Sequence, residues 1–197
     1  MHPLPSQRLN ICLVPAVKKN QMDSSLHALL LALLLTGVLA TIQPTTAQNS
    51  PQDFVGAHNR ARRSVGVGPV KWDPDLESYA QDYASRQTGD CRDLTHSGGE
   101  YGENIFWGRG RRYTARDAVD AWVSEKQHYN YRRNSCAPGK QCGHYTQVVW
   151  ANSVRIGCAR IKCDGGAIYI ICEYSPPGNI QGQWPYGSGP TDFYAVV

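Results

Sequence analysis

Signatures that announce a particular chemistry are scarce in this sequence. There is no G-x-S-x-G elbow, so the strand-to-helix turn that exposes a serine nucleophile is missing. There is no H-E-x-x-H, so no two histidines share a helix face as in ordinary zinc peptidases. No C-x-x-C pair occurs, which argues against a structural zinc knuckle built of cysteines. Residues 48–197 contain no N-x-[ST] acceptor, so N-glycosylation is not expected. The chain also lacks a long apolar run. Ala28 to Ala40 is uncharged and apolar, but it falls short of the about 20 residues that a membrane-spanning helix needs. A strong excess of one charge is absent too. Residues 48–197 carry 17 Lys and Arg against 15 Asp and Glu, a net of +2, far from the balance of a nucleic-acid-binding domain.

What is present at the N-terminus reads as a targeting segment. The apolar run is followed by Thr45-Thr46-Ala47, a small-residue site of the kind signal peptidase cuts, which places the first mature residue at Gln48. The competing reading is a membrane anchor. Residues before Met22 lie outside the usual signal layout: a start at Met22 gives a short n-region without positive charge, and a start at Met1 gives a long one with Arg8, Lys18 and Lys19. Residues 1–47 are therefore set apart from the fold. The remainder divides into 48–174, a domain of ordinary size able to bury a core, and 175–197, a tail rich in Pro and Gly at its start. Of seven cysteines, Cys12 lies in the leader; Cys91, Cys136, Cys142, Cys158, Cys163 and Cys172 remain. An even number behind a signal peptide implies three disulfides formed in an oxidising compartment, with 15 possible connectivities.

Local pattern predicts helices first and strands last. Gln52 to Ser64 reads as a helix with Pro51 in its first turn, ended by Val65-Gly66-Val67-Gly68-Pro69. Asp73 caps a second, with Leu76, Tyr79, Ala80, Tyr83 and Ala84 as its stripe and Gly89 closing it. Thr114 caps a third, whose stripe is Ala118, Val119, Trp122 and Tyr129. Glu125 falls on that apolar side, and a carboxylate there needs a partner, because burying an unpaired charge costs several kcal/mol. After Pro138-Gly139 the period changes to two: His144, Thr146, Val148 and Trp150 share one face of an expected strand, with Tyr145, Gln147 and Val149 on the other. Arg155–Cys163 and Gly166–Tyr174 read as a hairpin about Asp164-Gly165. Without β-α-β alternation this pattern argues an α+β fold, helices packed on a largely antiparallel sheet. Pro176-Pro177 stops the last strand, so the tail is either a wrapping loop or a flexible end open to proteolysis. Arg109, Arg111, Arg112 and Arg116 cluster ahead of and into the third helix, as a solvated loop and helix start or as an anion- or membrane-surface contact.

Three segments, His96-Ser97-Gly98-Gly99-Glu100-Tyr101-Gly102-Glu103-Asn104, Trp122-Val123-Ser124-Glu125 and Cys142-Gly143-His144 through Trp150, together with Pro177-Gly178-Asn179, closely resemble plant pathogenesis-related class-one proteins. These belong to a superfamily shared with cysteine-rich secretory proteins and insect-venom antigen five. The resemblance spans about residues 51–186, with several motifs in the family's order. It implies an α-β-α sandwich with bridges Cys91–Cys163, Cys136–Cys142 and Cys158–Cys172. It implies a cleft holding His96, Glu103, Glu125 and His144; Glu100 is a near neighbour outside that set, and His58 is read as a structural residue. It further implies a secreted defence protein, apoplastic or vacuolar and mostly monomeric; the missing nucleophile and third metal ligand argue against an enzyme, and the mild charge against a nucleic-acid partner. Such a protein would bind sterols or related lipids and act on microbial membranes. The matching ligand contacts are Tyr129, Tyr131 and Tyr145, residues that serve equally well as packing. No cofactor is required, though two neutral imidazoles, His96 and His144, can ligate Zn²⁺ with the glutamates orienting them. Two alternatives stand beside binding: a metal-dependent hydrolase using the same four residues, and a precursor that releases a peptide by cleavage between Ser175 and Pro176. In the family that peptide would span 176–186, whereas this chain runs on to Val197.

Overall fold

The computed structural model describes residues 48–87 and 89–189. The expected signal segment 1–47 and the last residues, 190–197, lie outside them. Ser50 accepts from Asp53 N while the Asp53 carboxylate accepts from Ser50 N, a capping box that starts helix α1, Pro51–Arg63. A two-residue strand β1, Lys71–Trp72, leads to helix α2, Pro74–Ser85, capped by Asp73 as expected. Strand β2, Gly102–Gly108, follows a long loop. Helix α3, Ala115–Ser124, begins with a second capping box, Thr114 with Asp117. Short strands β3, Tyr129–Asn130, and β4, Ser135–Cys136, pair with each other. Helix α4, Gly143–Val148, precedes the long hairpin β5, Arg155–Lys162, and β6, Ile168–Ser175.

The main sheet has the order β1-β5-β6-β2, parallel only between β1 and β5. Its two faces are both covered, which is why β6 is buried at every residue. On one face Ala80 and Ala84 of α2 pack against Ile105, Ala159, Tyr169 and Ile171. On the other, Phe54 and Ala57 of α1, Ala118, Val119 and Trp122 of α3 and Val148 of α4 pack against Ile156, Ile170, Cys172 and Tyr174. This is the α-β-α sandwich. Gly157 lets α2 approach β5 closely, because a Cβ there would run into the backbone of Leu76 and Glu77. Cys91–Cys163, Cys136–Cys142 and Cys158–Cys172 are bridged, the pairing the resemblance implies. Cys158 and Cys172 stand directly opposite in the β5–β6 register.

Three expectations need correction. His144–Trp150 is not a strand: residues 143–148 form α4. Tyr145, Thr146, Gln147, Val148, Val149 and Trp150 are all buried, so the alternating letters mark no exposed face. Tyr129 does not continue the stripe of α3, because the helix ends at Ser124, tightens into a 3₁₀ turn over Glu125–His128 and releases Tyr129 into β3. The hairpin connection is wider than a two-residue turn: Asp164–Gly166 form a 3₁₀ turn, with Gly165 and Gly166 both at positive φ. Strand β2 carries no expectation in the sequence reading, since its run Gly-Glu-Asn-Ile-Phe-Trp-Gly lacks clean alternation of polar and apolar residues.

The tail wraps. Ala151 N donates to Pro185 O at 2.6 Å, Asn134 Nδ2 to Gln183 O at 2.7 Å, and Trp184 Nε1 to Tyr131 O at 2.7 Å. Tyr131 stacks on Tyr186 with ring centroids 4.7 Å apart.

Candidate functional site

Helix α4 is too short to be stable alone, since isolated helices under about 12 residues are marginal in water. Charged side chains from distant segments hold both of its ends. At the N-terminus the Glu125 carboxylate accepts from His144 N at 3.0 Å and from Tyr145 N at 3.2 Å, amides that have no partner within the helix. Its other oxygen meets His144 Nδ1 at 2.7 Å. At the C-terminus Arg62 donates through Nη1 to Val148 O at 3.2 Å and Trp150 O at 2.7 Å. Arg62 is fully buried, and burial lowers its pKa to about 10.

The second imidazole comes from the loop before β2. His96 Nδ1 meets Glu103 Oε1 at 2.5 Å, and Ser97 N donates to both Glu103 oxygens at 3.2 Å. The four residues therefore meet as two His–Glu pairs. Each carboxylate takes Nδ1, which in a neutral ring leaves Nε2 as the free acceptor. The pairs differ in exposure: the His96 side chain is 62% exposed and that of His144 28%, while the glutamates are largely covered. Neighbouring residues of β2 tie the pairs together. Glu103 holds His96, and Asn104 Nδ2 donates to His144 O at 3.0 Å. Both pairs are thus tied to consecutive residues of β2, an edge strand of the sheet.

Among the described residues no group of three or more His, Cys, Asp or Glu is placed to hold a metal ion. The donors at this site would be His96 Nε2 and His144 Nε2, oriented as carboxylate-bound imidazoles are in metal sites. Two such ligands are fewer than the three usual for catalytic zinc. Glu100 is exposed and outside both pairs.

Two buried charged residues near this region escape the sequence reading. Glu173 faces Glu103 across the β2–β6 ladder and is fully buried. No N–H or O–H group of the described residues donates to either of its carboxyl oxygens; when protonated it can donate to the Glu103 carboxylate. Burial, and then the negative charge of Glu103, push its pKa up to about 9, so it is a neutral acid at pH 7. A signal for it exists: it is the single charge in the apolar run Ala167–Tyr174. Arg62 has no such signal, since it stands beside Arg60 and Arg63 in one helical turn. His58 is structural, as read. Its Nδ1 donates to Phe54 O at 2.8 Å and its Nε2 accepts from Tyr174 OH at 2.8 Å, and burial lowers its pKa to about 4. Asn104 completes that chain by donating to Tyr174 OH at 3.1 Å.

The three tyrosines separate. Tyr129 and Tyr131 line a cavity of about 580 Å³ formed by residues 127–138. Tyr145 is buried, its ring 5.8 Å from that of Tyr129, and burial drives its hydroxyl far above the usual tyrosine range. It packs beneath the cavity and does not line it.

The model of the cysteine-rich secretory protein family matches residues 55–174. The chain belongs to this CAP family. Among CAP relatives, the pathogenesis-related protein PR-1 type of Sambucus nigra is 58% identical over 156 residues, covering 79% of this chain and 93% of its own. Pathogenesis-related protein 1C of Nicotiana tabacum is 56% identical over 140 residues, covering 71% and 83%. Among solved CAP-fold structures, NaASP2 with Zn²⁺ aligns with a TM-score of 0.58 at 26% identity, covering 73% of this chain and 90% of its own. BmVAL-1 aligns with a TM-score of 0.60 at 24% identity, covering 76% and 86%, a likeness of fold. The relatives imply a plant defence protein of the CAP family.

Proposed function

We propose that this protein acts in plant defence outside the cell by binding a sterol or related lipid of microbial membranes, with antimicrobial effect. The observation that carries this reading is the cavity of about 580 Å³ along residues 127–138. Its size lies in the range of small-molecule sites, and two tyrosines give it aromatic surface. A smaller cavity of about 270 Å³ adjoins it through Tyr129, Ser135 and Cys136 and carries the exposed Ile180 on its wall. Three disulfides suit an oxidising extracellular compartment, and no helix among the described residues is long and apolar enough to cross a membrane.

Binding is preferred to catalysis for a chemical reason. Each glutamate near an imidazole is already engaged as its orienting acceptor, and Glu125 is also engaged as a helix cap. All six cysteines of 48–197 are bridged, so no thiol nucleophile remains there. Zinc, when bound, would sit on His96 and His144 and supply a positive centre at the cleft; the likeness to NaASP2, solved with Zn²⁺, supports that option. The test is equilibrium binding of a radiolabelled sterol to the purified protein, with and without chelator. Binding unchanged by chelator and weakened about tenfold in Tyr131→Ala, a loss of about 1.4 kcal/mol, is expected. A zinc-dependent cleavage activity lost in Glu125→Gln, with sterol binding kept, would replace this reading by the hydrolase.

A further inference from the structure

The loop after β2 and the turn between β5 and β6 border a cavity of about 730 Å³ that shares no lining residue with the cavity along 127–138. Its charged lining is wholly basic: Arg109, Arg111, Arg112, Arg160 and Lys162. A second groove of about 520 Å³ continues from it, sharing Arg111 and Arg112 and adding Arg60 and Arg116, four arginines against the two carboxylates of its lining, Asp53 and Asp117.

This basic surface is built rather than a scatter of mobile side chains. Arg160 is half-buried in β5 and is fixed by donating Nε to Tyr113 O at 2.9 Å. Arg111 lies over the Tyr113 ring at 4.3 Å and pairs with Asp117 at 2.9 Å. Arg109 rests against Gly165, where a Cβ would strike its guanidinium. Among the described residues two cations of the surface are neutralised, Arg111 by Asp117 and Arg116 by Asp120. Arg60, Arg109, Arg112, Arg160 and Lys162 have no acidic partner among the described residues. The charge of Arg112 also bears on Arg160, a like-charge contact that an anion would relieve.

We propose that the two adjoining grooves form a binding site for an acidic polysaccharide, a chain of sugars carrying carboxylates at regular intervals. Guanidinium groups match carboxylates bidentately. A single small anion would occupy one groove, whereas cations distributed along both suit a polymer. The uncharged Gln48, which lines both grooves, and Gln52, which lines the second, can meet sugar hydroxyls. A membrane surface fits less well, because none of the exposed large hydrophobic residues Leu94, Val154 and Ile180 borders the grooves. Binding to a bilayer interface uses inserted apolar side chains in addition to charge. The site is separate from the lipid cavity, so its test does not depend on sterol binding.

The test is isothermal titration of the full protein with polygalacturonate oligomers of increasing length at 50 and 200 mM salt, dextran serving as the neutral control. Affinity should rise with oligomer length and fall at the higher salt. The double variant R109Q/R112Q should bind about tenfold more weakly or worse, with an unchanged melting temperature. A control pair on other surfaces, Lys71→Gln with Arg86→Gln, should bind like the parent. Equal weakening by both pairs would mean diffuse attraction and would overturn the proposal. So would the absence of length dependence, or binding to anionic phospholipid vesicles without binding to the polyuronate.

Discussion

Glu173 illustrates what one buried carboxyl does when its polar neighbour is another carboxylate. Its neighbours are apolar residues of β6 and the carboxylate of Glu103, which is committed to His96 and Ser97 N. Holding the proton is the less costly state. The folded protein releases it near pH 9, whereas an exposed carboxyl in the unfolded chain releases it near 4.5. Between these values the folded state holds a proton that the unfolded state has lost, so stability falls as pH rises from about 4.5 to about 9. Glu173→Gln keeps the shape and removes the titration. It should raise the stability measured by urea unfolding at pH 8 by a few kcal/mol, on the order of the shift it removes, and by nothing at pH 4. Equal profiles for parent and variant would contradict a buried neutral acid. His58 acts in the opposite sense. Its folded pKa of about 4 lies below the ordinary 6.5, so its contribution is present above pH 6.5 and lost as pH falls toward 4.

At the scale of the element, α4 is the part most dependent on others. Six residues with Cys142 bridged to Cys136 at one end, Glu125 on the first amides and Arg62 on the last carbonyls make a helix that long-range contacts create. Glu125→Ala should cost about 1–3 kcal/mol in stability, the range for losing a helix cap and its charged hydrogen bonds. Amide exchange at His144 and Tyr145 should accelerate more than exchange in β5. Glu125→Gln keeps one acceptor oxygen and should cost less. The alternating letters from His144 to Trp150 read as a strand because periodicity reports which faces are buried, and here both are. By contrast α1, α2 and α3 were legible, α1 from Pro51 in its first turn and α2 and α3 from the N-caps Asp73 and Thr114, whose hydrogen bonds lie within a few residues.

For the whole molecule, the question is how the tail joins the domain. β6 continues through Ser175, which is buried, and the chain beyond it is tied to α4 and to the 127–138 segment. Gln147 accepts from Gly178 N at 3.0 Å, Ser153 donates to Pro176 O at 2.7 Å, and Asn179 donates to Gly143 O at 2.9 Å. Release of a peptide beginning at Pro176 then requires this edge of the fold to open. Limited digestion of the native protein with a nonspecific protease should leave 176–186 uncut until the domain unfolds, so that cleavage tracks the global transition. A Pro176 fragment appearing from the native state at low denaturant would favour the precursor reading. The wrapped tail also borders the smaller cavity, so removing it would alter the proposed lipid site.

Sequence alone determined the features whose causes are local or repetitive. These were the three capped helices, the long hairpin and the α+β order of elements, with the family motifs pointing to the disulfide pairing and to His96, Glu103, Glu125 and His144. The tertiary structure decided what depends on distant partners. It arranged those four residues as two His–Glu pairs, both tied to edge strand β2, turned an alternating segment into a helix, and buried Glu173 beside a second carboxylate. It also gathered arginines from α1, the loop after β2 and β5 into one basic surface. The physical reason is that hydrogen bonding within a turn is written in adjacent letters. Burial and charge pairing are set by residues tens of positions away, and only packing brings those together.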